Sequence, residues 1–504
     1  LPDKNHISHQ EKPSEFLSQS LIQTDIIFQM ARKFNVRFVG GNASPVSPKD
    51  WKETRILDHP NRRRKSQFAC LDCKERHLKC DEAFPVCSRC KQRGIICRSS
   101  FRSTQWQIEI PGLTIGSNLS TIPSAVKNHL LRYWLEKASQ IMVIDPNVNP
   151  FSFEILKYLR TSRSLIYTIQ SLSLAHQGFF SSTSCEGVLQ EQAHALSLVQ
   201  IELQQDAPTY GSLLAVILLG LCSAWLDNQR DVKFGKEHLQ GTRAIIDILL
   251  ASPGAEKDSF LQQSLAIYLC WEQAVAFFLN ENDQIIPYSE DFLRCVQEMR
   301  SQYNATIGYS SDIMLVLGNV GRYCGAIMNG ALRDFSLEAF LEQRLLQLDD
   351  ASSDAQSHLV NNSFRRHGLI MLYRSIQCAP SSLLLGFSTN DSDDIFGGQY
   401  PDELIIKQYA KEILDDIFSL PVDSCYHSLV SLPLFTAGAE LDCDSSWERQ
   451  QVRERFQNLF SSTRLPANIH AVKILEELWQ MQDSGNGVFW LLYLLETSRV
   501  LILC

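Results

Sequence analysis

With 504 residues, 47 Lys or Arg against 56 Asp or Glu and a formal net charge of −9, the chain is acidic as a whole. That balance excludes a nucleic-acid binder that is basic throughout, so any such affinity must reside in a local segment. The length allows one large domain or two fused ones beside smaller modules.

The chain opens on Leu1 rather than an initiator Met, which reads as a fragment, a processed form or an imperfect gene product. Residues 1–60 carry few apolar clusters and two Ser-Pro steps, Ser44-Pro45 and Ser47-Pro48. They read as a disordered N-terminal segment with at most a short helix near Ile22 to Phe34. No apolar stretch with positive flanks and a small-residue cleavage site appears, so no secretory signal is expected. Arg62, Arg63, Arg64 and Lys65 come next. Such a run serves as a nuclear-import signal, a phosphate-gripping arm or a solvated tether.

Between Cys70 and Cys97 one unit occurs twice. Cys70, Cys73 and Cys80 follow the spacing C-x2-C-x6-C, and Cys87, Cys90 and Cys97 repeat it. Thiolates repeated in this way mark a metal site rather than scattered core cysteines. Tetrahedral zinc takes four ligands, so two zincs need eight, and six cysteines supply eight only when two sulfurs bridge both metals. The expectation is two Zn²⁺ per chain. From Arg62 to Arg98 there are eleven Lys or Arg against four Asp or Glu, a balance of +7 that leaves −16 on the rest. Six thiolates and two Zn²⁺ keep the loaded module at about +5. A compact, basic, metal-held segment on an acidic protein has the charge pattern of a reader of double-stranded DNA. The alternative is a zinc staple that holds the fold or docks another protein without reading sequence.

Ala69, Cys70, Cys73, Arg76, Lys79, Cys80, Asp81, Pro85, Cys87 and Cys90, at these spacings, resemble the fungal zinc binuclear cluster family of transcription factors. The resemblance implies a nuclear regulator of RNA polymerase II transcription, with Cys70 and Cys87 as the bridging ligands of a cluster domain over 61–98. It also implies that a short helix after Cys73 enters the major groove and that a CGG-type triplet is read mainly through Arg76 and His77. His77 departs from the family's usual lysine. An imidazole is shorter and, when neutral, donates one proton, so Arg76 is the residue expected to grip guanine with two hydrogen bonds. Lys79 is a further candidate for base contact. Arg62 to Lys65, Lys74, Arg89, Lys91 and Arg93 are the candidate phosphate contacts.

Residues 99–124 form a linker bearing Ser, Thr, Gly and Pro, with Trp106 inside it. Many relatives place a dimerising coiled coil here, but no sustained heptads are present. Either one module binds one half-site, or a homodimer forms through the C-terminal body.

That body, 125–504, has a helical pattern nearly throughout, and an all-α domain is expected. Leu130, Tyr133, Trp134, Ala138, Ile141 and Met142 share one face, as do Ile406, Tyr409, Ile413 and Ile417. Asp145-Pro146 ends the first of these helices and Asn149-Pro150 marks a turn. Leu213 to Leu226 is too short for a membrane span and suits a buried helix, and Val488 to Cys504, interrupted by Glu496 and Arg499, reads as a terminal core helix. A soluble protein is expected.

Asn149-Pro150-Phe151, Ala175-His176, Leu213 to Leu219, His238-Leu239 with Gly241, Pro433 to Gly438 and Leu478-Trp479 are similar, in order, to landmarks of the fungal-specific transcription factor domain. That resemblance implies a regulatory role and transcription co-regulators as partners.

Nothing in the sequence marks an enzyme: no Gly-rich phosphate loop, no G-x-S-x-G and no H-E-x-x-H is present. His176, His194 and His238 read as core or half-buried residues. Cys185, Cys222, Cys270, Cys295, Cys324, Cys378, Cys425, Cys443 and Cys504 read as buried free thiols. The glycosylation patterns at Asn118, Asn304 and Asn361 are expected to go unused, and the acidic–apolar stretch Asp391 to Phe396 reads as a solvated loop.

Overall fold

A computed structural model of the chain describes residues 69–81, 87–95, 97, 125–178, 186–205, 207–225, 235–279, 288–347, 354–379, 403–421 and 424–503. The N-terminal segment, Arg62 to Lys65, Pro85, the linker with Trp106, Asn118, Cys185, Leu226, the stretch 391–396 and Cys504 lie outside the described residues. The chain divides into two units, Ile26–Arg102 with the cysteine repeats, and a second that includes Ser103–Cys504.

The first unit carries two five-residue helices, α1 (Leu71–Glu75) and α2 (Ser88–Gln92). The second is all-α, as expected. It begins with α3 (Asn128–Glu136), α4 (Arg163–Gly178), α5 (Glu186–Gln205), α6 (Tyr210–Trp225), α7 (Lys236–Leu250), α8 (Ser259–Val275) and α9 (Glu290–Met299). It continues through α10 (Ser311–Met328), α11 (Phe335–Gln347), α12 (Ala355–Cys378) and α13 (Glu403–Ser419). The last four are α14 (Ser431–Ala439), α15 (Ser446–Thr463), α16 (Ala467–Asp483) and α17 (Trp490–Glu496). Among the described residues the nearest approach to a sheet is one antiparallel bridge between Asn304 and Gly308.

The core is organised by α6 and α8, in which nearly every described side chain is buried. Leu213, Leu214, Ala215, Ile217 and Leu218 of α6 have no exposed surface, and neither have Leu261, Leu265, Tyr268 and Leu269 of α8. No helix among the described residues is long and apolar enough to cross a membrane. The two helices meet where a side chain is impossible: a Cβ on Gly220 would lie 2.1 Å from Cη2 of Trp271. The missing methyl lets the edge of the indole approach α6. Further along α8, the wholly buried Glu272 accepts from the Tyr268 and Tyr288 hydroxyls, both at 2.9 Å, and from Arg322 Nη1 of α10 at 2.6 Å. An ion pair so enclosed adds little net stability, but removing one partner strands the other charge.

The turn at Asn149-Pro150 is present, with Asn149 Oδ1 accepting the Phe151 N–H at 2.9 Å. The face Ile406, Ile413 and Ile417 is buried in α13, while Tyr409 is half-buried and stacks on Tyr373.

Four expectations need correction. The stripe from Leu130 to Met142 is not one helix: α3 stops at Glu136 and Ala138–Met142 forms a 3-10 turn. The Leu135 carbonyl is taken by Gln140 Nε2 at 2.8 Å and Ser152 Oγ at 2.9 Å, so side chains replace the next helical bond. Likewise the chain from Val488 to the end is helical only over Trp490–Glu496. Ser498 adopts a left-handed φ of 51°, and thereafter Leu501 and Leu503 are buried in alternation with Val500 and Ile502, a period of two. His194 is exposed on α5, its ring edge on Tyr167. Cys222, Cys270, Cys295 and Cys324 are buried and outside any disulfide, but Cys378, Cys425 and Cys443 are exposed, at a helix end and in turns. Asn304 and Asn361 are buried and hydrogen-bonded, which closes both to glycosylation in the fold.

His176 and His238 are buried, as expected. His176 bonds the Thr463 carbonyl through Nε2 at 2.9 Å and the Tyr133 hydroxyl through Nδ1 at 2.7 Å. Both ring nitrogens of His238 lack a partner. Burial holds each of these imidazoles down at about 4, against an ordinary 6.5. Because the folded values are depressed, the neutral rings contribute stability that is complete above about 6.5 and is lost as pH falls toward 4. We expect His238→Leu to raise stability at pH 7 by about 1–2 kcal/mol, by removing two stranded polar atoms. It should also flatten the acid dependence by roughly 1.4 kcal/mol per pH unit between pH 6.5 and 4. Urea midpoints at pH 7 and 5 measure both effects, and an unchanged slope would contradict this account of the buried ring.

Candidate metal centre and nucleic-acid interface

In the small unit the two cysteine repeats build the same backbone twice. Cys70 caps α1 with φ −60° and ψ 154°, and Cys87 caps α2 with φ −66° and ψ 146°. Each cap sulfur accepts the N–H three residues on, from Cys73 at 3.3 Å and from Cys90 at 3.4 Å. These bonds place an amide dipole against each of the two cap sulfurs. Both helices end alike: Arg76 and Arg93 are the C-caps, and the next residue is left-handed, His77 with φ 52° and Gly94 with φ 60°. The chain then turns back, with Leu78 N–H on the Cys73 carbonyl at 2.8 Å and Ile95 N–H on the Cys90 carbonyl at 3.2 Å. Leu78 and Ile95 pack against the cysteines.

All six sulfurs are buried, and they fall into two overlapping groups of four. Cys70, Cys73, Cys80 and Cys87 form one, and Cys70, Cys87, Cys90 and Cys97 the other, with ligand atoms within 4.8 Å of one another. Cys70 and Cys87 belong to both. The Sγ–Sγ distances are 3.8 Å for Cys70–Cys87, 3.7 Å for Cys70–Cys90 and 3.8 Å for Cys73–Cys87. A zinc–sulfur bond of about 2.3 Å gives a tetrahedron with edges of about 3.8 Å, so the spacing and the all-thiol donor set fit zinc.

Burial pushes the Cys73, Cys90 and Cys97 thiols up, the last to about 12. For Cys87 burial also acts upward, but hydrogen bonds from the Cys90 N–H and the surrounding thiols outweigh it and bring Cys87 down to about 7. Without metal, crowded sulfurs keep most of their protons; a divalent ion displaces them.

Lys74, Arg76, His77, Lys79, Arg89, Lys91 and Arg93 are all exposed around this cage. One expectation changes in register. The helix begins at Leu71 and holds Cys73 in its middle, so Arg76 stands at its C-cap and His77 beyond it. The base-reading candidates therefore project from the end of α1 rather than from a helix that follows Cys73. Arg62 to Lys65 lie outside the described residues.

Two features were missed from sequence. The repeat at an offset of seventeen residues extends past the cysteines, pairing Lys74 with Lys91, Arg76 with Arg93, His77 with Gly94 and Leu78 with Ile95. Aligning the halves on their cysteines exposes it. In addition, the Asp81 carboxylate accepts the Ser88 N–H at 3.1 and 3.2 Å and ties the first half to the start of α2.

The profile of the fungal specific transcription factor domain matches residues 129–503, and that of the fungal Zn(2)-Cys(6) binuclear cluster domain matches residues 68–107. An uncharacterized transcriptional regulatory protein of Saccharomyces cerevisiae is 52% identical over 33 residues. Those residues are 6% of this chain and 4% of that protein. No solved structure matches the chain significantly.

A left-handed conformation is costly for a residue with a Cβ, by about 1 kcal/mol, and Gly94 avoids that cost where His77 does not. His77→Gly is expected to stabilise the zinc-loaded unit by about that amount, read as slower zinc release to a chelator. Release at the wild-type rate or faster would show that His77 is not strained.

Proposed function

Because the chain belongs to the family of the fungal specific transcription factor domain, a family of non-enzymatic transcription regulators, we propose that it is a zinc-dependent, sequence-specific DNA-binding regulator of RNA polymerase II transcription in the nucleus. The observation that carries this reading is the pair of sulfur tetrahedra sharing Cys70 and Cys87, with exposed basic side chains on the backbone they fix. Two Zn²⁺ per chain then have four thiolates each. Cys73 and Cys80 complete one site and Cys90 and Cys97 the other. The cluster domain spans 61–98, with 99–124 linking it to the helical regulatory domain.

In this reading the metals do structural chemistry only. Fixing Cys73 in the middle of α1 fixes the helix end, and with it Arg76 and His77, whose side chains reach base edges in the major groove. Arg76 takes a guanine of a CGG-type triplet through two parallel hydrogen bonds. His77 makes a single, shorter contact beside it, with Lys79 as a further base contact. Lys74, Arg89, Lys91, Arg93 and the run Arg62 to Lys65 neutralise phosphates and set the register. With no dimerising coiled coil read between the domains, any homodimer pairs through the helical domain, where co-regulators also bind.

Selection of binding sites from random duplexes by the zinc-loaded chain should enrich a CGG-type triplet, and chelation should abolish the enrichment. Arg76→Ala should cost about 1–3 kcal/mol and relax the preference at one base, whereas Lys74→Ala should weaken all sequences alike and shallow the salt dependence. Enrichment of no sequence by a folded, zinc-bound protein would favour a protein-docking role for the unit.

Cys70→Ala should lose both zincs from the cluster, while Cys73→Ala should keep one, as metal content per chain reads directly. Two zincs retained in Cys70→Ala would sink the shared-ligand assignment.

A further inference from the structure

Helix α11 is packed the wrong way round for a surface helix. Its buried row is Glu338, Leu341 and Leu345, at the three- and four-residue spacing of one helical face. Glu338 is held there by Arg333 at 2.7 and 2.9 Å and by the Tyr323 hydroxyl of α10. Phe335, Leu337, Phe340 and Leu346 are exposed, as is Leu332 in the connection before the helix. An amphipathic helix ordinarily does the reverse. A carboxylate inside and phenylalanines outside set this helix against the needs of a lone monomer.

The apolar surface continues onto α13. Glu342 accepts the Tyr373 hydroxyl of α12, and the Tyr373 ring stacks on Tyr409 of α13 with centroids 6.4 Å apart. Leu346 lies one turn beyond Glu342, and Ile405 one turn before Tyr409, which places both beside this junction. Arg374 of α12 fixes the first turn of α13 through Glu403, at 2.7 and 2.8 Å, and Leu404 and Ile405 are exposed there. Seven of the thirteen exposed large apolar side chains among the described residues therefore lie in this one region.

Their exposures run from 39% to 71%. With about 150–200 Å² for a whole large side chain, roughly 600–700 Å² of apolar surface is open to water. The largest patch on a typical monomer is about 300–600 Å², and a stable interface takes about 800 Å² from each partner. This patch with a polar rim reaches the size that a dimer needs. Charge narrows the choice of partner. Nine residues of α11 are exposed and Arg344 is the one charged among them, on a chain whose residues outside 62–98 sum to −16. A second copy is repelled over the acidic surface and meets no such repulsion here. A twofold axis also returns the same apolar side chains, so the patch is its own complement.

We propose that this face of α11, with the start of α13, is an isologous interface between two copies of the chain. The pairing gives the homodimer of the proposed reading a defined surface, and it needs the helical unit alone, not the DNA contacts.

Sedimentation of the full, zinc-loaded chain from about 0.1 to 50 µM should show a concentration-dependent dimer. Phe340→Asp and Leu346→Asp each act twice in a twofold interface, and each should weaken dimerisation about a hundred-fold or more. Trp447→Asp should leave dimerisation unchanged, because Trp447 lies against Phe418 at the other end of α13. All three variants should keep the wild-type helical circular dichroism, since none of these side chains is buried. A chain that dimerises through this face yet selects no DNA sequence sinks the DNA reading and leaves the interface standing. A chain monomeric throughout that range overturns the interface, whether α11 is then shielded from hydrogen exchange by another segment of the same chain or left open to a different protein. So does a dimer that survives both α11 substitutions.

Discussion

The sharing of two sulfurs is the constraint on which the small unit depends. Among its described residues, Ala69 and the six cysteines are the buried ones, with Leu78 and Ile95 packed against them. So little apolar surface cannot offset the entropy of ordering the chain, so the free energy of folding must come from metal–thiolate bonds. Cys70 and Cys87 stand in both sulfur groups, which makes the two halves one cooperative object rather than two tethered loops. Among the described residues of the unit, every exposed basic side chain lies within a few positions of a cysteine. Metal occupancy and the placement of any DNA contact are therefore the same event in the proposed reading.

Cysteine spacing carries unusually direct information because ligand number and geometry leave few solutions. Six thiols, two repeats and four ligands per zinc were enough to anticipate that two sulfurs would lie in both groups. The side-chain directions were less legible. A C-x2-C spacing does not say that the first cysteine is a helix cap, yet that placement puts Cys73 inside α1 and His77 past its end. The left-handed His77 was also hidden, because its counterpart Gly94 signals the turn and His77 does not. Only the alignment of one half on the other reveals that both residues occupy one position.

In the helical unit, periodicity identified buried faces better than it identified helix ends. The stripe from Leu130 to Met142 is apolar on one side whether its last turn is α or 3-10, and the choice was made by Gln140 and Ser152 competing for the Leu135 carbonyl. Beyond Glu496 the same chain passes from helical to alternating burial, a change that the short run Val500 to Leu503 does not announce. The close approach of Trp271 to Gly220 is equally invisible in a single sequence, since a glycine within an apolar helix has many uses.

The division of charge gives the two units different relations to DNA. The acidic helical unit repels phosphate, but repulsion between exposed charges fades beyond about 8 Å at physiological salt. Counterion release, by contrast, acts only where basic side chains touch the duplex. In the proposed reading, DNA affinity at physiological salt is then set by the small unit's contacts. At low salt the larger acidic unit opposes loose, long-range association, which weakens non-specific binding more than a seated complex. A basic module carried by an acidic protein thus favours contacts that require the sulfur-fixed backbone over those that require charge alone.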